Sequence, residues 1–60
     1  MIVLKPKLYD KVVLKTGETA VIVEVYESGV AYEADIERKD GIETDTIRQE
    51  EIREILSKNI

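Results

Sequence analysis

Residues 20–37, "AVIVEVYESGVAYEADIE", alternate in polarity on either side of a Ser-Gly pair. Successive side chains of a strand point to opposite faces, so this period of two reads as a β-hairpin. The alternation is cleanest in the second arm, where Val30, Tyr32, Ala34 and Ile36 oppose Ala31, Glu33, Asp35 and Glu37. In the first arm Val21, Val23 and Val25 oppose Ala20, Ile22, Glu24 and Tyr26. A slip of one residue would turn the apolar set outward, so the faces set the register. Val25 opposite Val30 leaves a four-residue loop, "YESG", with Val23 facing Tyr32 and Val21 facing Ala34. Gly29 supplies the positive φ such a loop requires.

The flanking segments extend the pattern. In "LYDKVVLKTGE", Val12 and Leu14 share one face, Lys11, Val13 and Lys15 the other, and "TGE" reads as a turn. "MIVL" ahead of Pro6 reads as an edge strand, since proline keeps to edges and strand starts. Asp40-Gly41 is a hairpin signal leading into a more polar strand, "IETDTI". A three-residue loop, Lys39 to Gly41, sets Arg38 against Ile42, Ile36 against Thr44, Glu37 against Glu43 and Asp35 against Asp45. An alternative register favours Arg38 with Glu43 but sets Ile36 against Asp45, and the loss of core contact outweighs an exposed charge clash. In "TIRQEEIREILSKNI" a capping box of Thr46 and Gln49 predicts a helix from about Ile47. Ile52, Ile55 and Leu56 line its apolar face, and Glu54 supports Lys58 four residues on.

Sixty residues make one domain, which buries only about 60% of its unfolded surface. With no cysteine and no histidine, neither a disulfide nor the usual zinc site can reinforce it. Hydrophobic residues at 43% and charged residues at 37% fit a globular chain rather than a disordered one. The net charge of −4 repels phosphate backbones and attracts basic surfaces. No apolar run approaches the ~20 residues of a membrane span. "MIVLKPK" is too short for a signal peptide, so the expected location is cytoplasmic.

Several segments resemble a known family. "LYDKVVL", "GETAVIVEVY", "AYEADIE", "DG" and "EEI" are similar to short bacterial proteins built on an SH3-like barrel, a family without an assigned function. Leu8, Tyr9, Asp10 and Val12 match its first block, Gly17 and Ile22 to Tyr26 its second, and Ala31, Tyr32, Glu33, Asp35 and Ile36 its third. The likeness covers residues 8–52; Ala20 replaces a glycine, and Thr44 and Thr46 replace apolar residues of the last strand. KOW-type modules of ribosomal and transcription proteins are more distantly similar. The order of elements, and the resemblance with it, imply a mainly β fold, a small antiparallel SH3-like barrel of four to five strands; the short C-terminal helix expected here is longer than the family's closing turn.

The chemistry points to binding, not catalysis. The commonest general base and the best nucleophile are missing, and Ser28 and Ser57 have no recognisable base. No phosphate loop is present, and no cofactor is expected. "DIERKDGIETDT" fails the EF-hand spacing, because Gly41 falls seventh from Asp35; at most a weak cation site between Asp35 and Asp45 remains. Tyr32 belongs to the core, whereas Tyr9 and Tyr26 are candidate binding aromatics. The candidate partner surface is Glu24, Tyr26, Glu33, Asp35, Glu37, Glu43 and Asp45. Its opposed like charges make sense where a basic partner relieves them. The expected function is an acidic protein-binding module, such as an antitoxin or immunity protein masking a basic toxin. One alternative is a KOW-like nucleic-acid binder using Lys5, Lys7, Lys11 and Lys15, which the overall charge disfavours. Another is an accessory subunit that forms a homodimer through "MIVL" or the helix.

Overall fold

The structure, a computed structural model, describes residues 5–56. The two alternating arms form its centre as β2 (Thr19–Glu27) and β3 (Ala31–Arg38). β1 (Lys11–Leu14) and β4 (Gly41–Arg48) flank them, and β5 (Ile52–Ile55) follows a 3-10 turn at Gln49–Glu51. All pairings are antiparallel, in one open sheet of order β4-β3-β2-β1-β5. No helix among the described residues is long and apolar enough to cross a membrane. "MIVL" lies outside the described residues, as does Lys58.

The hairpin register differs from the simple alternation. Ala20 faces Ile36, Val21 faces Asp35 and Ile22 faces Ala34, but Glu24 then faces Glu33 and Val25 faces Tyr32. Val23 is therefore an extra residue, and Tyr26 is a second, because Glu27 faces Ala31. Each bulge bends its strand and raises its local twist. Before the first bulge the core-facing residues of β2 are Ala20 and Ile22; after it, Val25 turns inward. Val21 and Val23 are only half-buried, contrary to their expected places opposite Ala34 and Tyr32. Val30 lies in the turn and is exposed, so it does not pair with Val25.

The β3–β4 register also departs from expectation. Arg38 faces Gly41 across a two-residue turn, Lys39-Asp40, and Gly41 takes a φ of 129° that side chains rarely adopt. Asp35 consequently faces Thr44, Glu37 faces Ile42 and Ile36 faces Glu43. The expected oppositions of Asp35 to Asp45 and Glu37 to Glu43 do not occur. Arg38 still reaches Glu43, at 3.1 Å.

The core gathers Val12, Leu14, Ala20, Ile22, Tyr32, Ala34, Ile36, Ile47 and Ile52, with Val25 and Ile55 against it. Tyr32 is fully buried, as its place in the alternation implies. Its hydroxyl accepts the Gly29 N–H at 2.8 Å and bonds Gln49 Oε1, so the one polar atom of this ring is satisfied. The same hydroxyl ties β3 to the 3-10 turn.

Among the described residues the expected C-terminal helix is absent. The Arg48 N–H donates to Glu51 Oε2 at 3.0 Å, but this contact starts only the three-residue 3-10 turn. The chain then returns as β5, with Val12 facing Ile55 and Leu14 facing Ile52. A helix here would leave one side of β1 without backbone partners, beside the core, and such groups are costly to leave unpaired. Ile52 and Ile55 reach the core either way, but the strand also satisfies β1.

Candidate functional site: an acidic sheet face

The bulges and the β3–β4 turn divide the expected acidic set between two surfaces. Glu24, Glu33, Asp35 and Glu37 form a row on the outer face of β2 and β3, away from the core. Glu43 and Asp45 stand on the other side of β4, opposite Ile36 and Ala34. Asp35 and Asp45 are thus on opposite faces and cannot share a cation. No group of acidic side chains among the described residues is arranged to hold a metal ion.

The outer row is held by hydroxyls. Glu33 Oε1 accepts from Tyr26 Oη at 2.7 Å and from Thr46 Oγ1 at 3.0 Å. Asp35 Oδ1 accepts from Thr44 Oγ1, and Glu37 Oε1 from Thr19 Oγ1. Neutral donors thereby orient three carboxylates without cancelling their charge. Glu24 faces Glu33 directly, a like-charged opposition that the bulge at Val23 creates and the expected register did not contain. Sequence reasoning missed the hydroxyl partners. The signal was Thr44 and Thr46 alternating on one strand as Glu33 and Asp35 do on the next.

Ion pairs lie elsewhere. Arg38 joins Glu43 at 3.1 Å and Glu18 at 3.6 Å, and Arg48 joins Glu50 at 3.5 Å. Among the described residues no lysine or arginine pairs with Glu24, Glu33, Asp35 or Glu37. Two exposed apolar side chains flank the row: Tyr26, 55% exposed, beside Glu33, and Ile42, 68% exposed, opposite Glu37. The hydrogen bond to Glu33 raises the Tyr26 phenol above its ordinary pKa, helped by slight desolvation and the charges of Glu33 and Glu24. The phenol therefore stays protonated, and a donor, throughout the neutral range.

On the core side, a groove of about 160 Å³ opens between the β1–β2 turn and β4. Leu14, Ile36 and Ile47 line it, with Glu18, Arg38 and Asp45 at its polar wall. Tyr9 stands apart from both surfaces. It is 68% exposed with a φ of 71°, in a turn that the Lys7 N–H closes onto Asp10 Oδ2 at 2.9 Å. Lys5, Lys7, Lys11 and Lys15 are all exposed. No family model, curated protein or solved structure matches the chain.

Proposed function

We propose that the chain is a non-catalytic, acidic protein-binding module, of the kind an antitoxin or immunity protein uses to mask a basic partner. One observation carries this reading: the row Glu24, Glu33, Asp35 and Glu37 has no cation paired with it among the described residues. Fixed carboxylates with uncompensated charge create a local field that attracts a basic surface. Tyr26 is the aromatic anchor at the rim, and the absence of histidine and cysteine from the chain fits a role without catalysis.

The fold reading that accompanies this function is an SH3-like barrel. The two bulges that bend β2, and the return of β5 beside β1 after a 3-10 turn, support it. A second reading, nucleic-acid binding, is favoured by exposed Tyr9 between Lys7 and Lys11. A salt-sensitive gel shift lost on Lys7→Ala and Lys11→Ala would support it against the first.

The test of the protein-binding reading is a comparative pull-down from the source cell. Wild-type chain and the triple variant Glu33→Gln, Asp35→Asn, Glu37→Gln are used as paired baits. A basic protein retained by the first and lost from the second at low salt is the expected result. Equal capture by both would leave the outer face a solvated surface.

A further inference from the structure

β4 is an edge strand of eight residues, Gly41–Arg48, with neither proline nor lysine, and only Ile47 of it is buried. An open edge presents unpaired N–H and C=O groups to any incoming strand. Proteins blunt such edges with prolines, lysines or inward-pointing charges. β4 carries the last of these, since Glu43 and Asp45 stand on its core side opposite Ile36 and Ala34. On its outward edge the Thr46 N–H donates to Asp45 Oδ1 at 2.8 Å and the Arg48 N–H to Glu51 Oε2 at 3.0 Å, which leaves the N–H groups of Ile42 and Thr44 for an incoming strand.

These charges select a partner as well as exclude one. Pairing with the β4 of a second copy, antiparallel and with the sheet faces continuous, must oppose residues of like parity. One central register sets Asp45 on Asp45. The next sets Thr44 on Thr44 and Glu43 on Asp45. Both oppose like charges, which is destabilising. A foreign strand with lysine or arginine at the two matching positions meets opposite charges instead, Asp45 with no cation of its own among the described residues and Glu43 shared with Arg38. Thr44 and Thr46, on the outer face, are already bonded to Asp35 and Glu33 and present β-branched neighbours to such a strand. The groove lined by Ile36, Asp45 and Ile47 lies on the side toward which its inward side chains would point.

We propose that the edge of β4 around Ile42 and Thr44 is a strand-addition site for an extended basic segment of a protein partner, with cationic residues at alternate positions opposite Glu43 and Asp45. This rests on the reading of the chain as a binder of basic proteins, and it adds a second contact distinct from the outer row. Main-chain hydrogen bonds supply affinity in such an arrangement, and alternate side chains supply specificity.

The probe is a capped eight-residue peptide alternating lysine and valine, titrated into the 15N-labelled full chain. Shift changes are expected along residues 41–48, with slowed amide exchange at Ile42 and Thr44. Glu43→Gln with Asp45→Asn should weaken binding about three- to tenfold, the worth of two exposed ion pairs. The even-numbered residues of β4 face the edge, so with lysines opposite Glu43 and Asp45 the valines make the main-chain bonds; methylating the valine nitrogens should abolish protection of β4, whereas methylating the lysine nitrogens should not. If both methylated peptides bind as the parent does, charge alone is responsible and the proposal falls. Shifts confined to Glu33, Asp35 and Glu37, and lost in the triple amide variant, would overturn the edge site but keep the outer-face reading. Absence of binding at either surface would overturn both.

Discussion

Replacing Tyr32 with phenylalanine keeps the buried ring and removes one hydroxyl. That hydroxyl accepts the Gly29 N–H at 2.8 Å and bonds Gln49 Oε1, both in a part-buried setting. Each lost hydrogen bond costs about 0.5–1.5 kcal/mol, so the variant should lose about 1–3 kcal/mol. For a chain of 60 residues the whole stability is roughly 3–9 kcal/mol, at about 0.05–0.15 kcal/mol per residue. One kcal/mol moves the midpoint of so small a domain by about 4–8 °C, so Tm should fall by about 5–20 °C. Tyr26→Phe is the matched control. Its hydroxyl is exposed and its acceptor Glu33 keeps Thr46, so the midpoint should stay close to that of wild type. Thermal melts followed by far-UV circular dichroism compare the two variants. A Tyr32→Phe midpoint within a degree of wild type, or a larger loss for Tyr26→Phe, would refute the idea that this hydroxyl fastens the 3-10 turn to β3.

Three further outcomes follow from the geometry. Ile22→Asp should unfold the domain by burying an unpaired charge, whereas Val21→Asp should leave it folded, and melts that rank them in reverse would invert the faces of β2. In a spectrophotometric titration Tyr26 should ionise above the ordinary phenol range, and Glu33→Gln should bring it back down. Because the folded pKa of Tyr26 is raised, its contribution to stability is complete below the unfolded phenol pKa and is lost as pH rises through the folded one; denaturation of wild type and Glu33→Gln across that alkaline window reads the difference. Replacing both Thr44 and Thr46 with alanine should cost up to about 1 kcal/mol, measured by urea denaturation, as Glu33 and Asp35 lose oriented donors.

The hairpin of β2 and β3 was legible because β3 alternates without exception from Tyr32 to Glu37. β2 was ambiguous for a specific reason. Ala20, Val21, Ile22 and Val23 are apolar on both faces, so polarity could not reveal where a bulge exchanged them. The β3–β4 register turned on a single residue of loop length. The favourable pairing of hydroxyls with carboxylates outweighed what core matching alone suggested, and Thr44 and Thr46 read as weak strand residues until their partners were in view. At the C-terminus, the spacing of Ile52, Ile55 and Leu56 suits a helix, but a short isolated helix is marginal in water. The open edge of β1 offers a ladder of backbone bonds, and the strand prevails. The acidic residues of β3 were therefore found from alternation, while the separation of Glu43 and Asp45 from them depended on a register that local pattern did not determine.

The most direct measurement is the association rate of the captured basic partner with wild-type chain and with the Glu33→Gln, Asp35→Asn, Glu37→Gln variant, across ionic strength. Charge complementarity acts mainly on association and is screened beyond about 10 Å at 0.1 M salt. At low salt the triple variant should associate about tenfold more slowly, with the two rates converging as salt rises. Equal rates for the two chains at low salt, with both folded, would contradict the assignment of the outer acidic row as a partner surface.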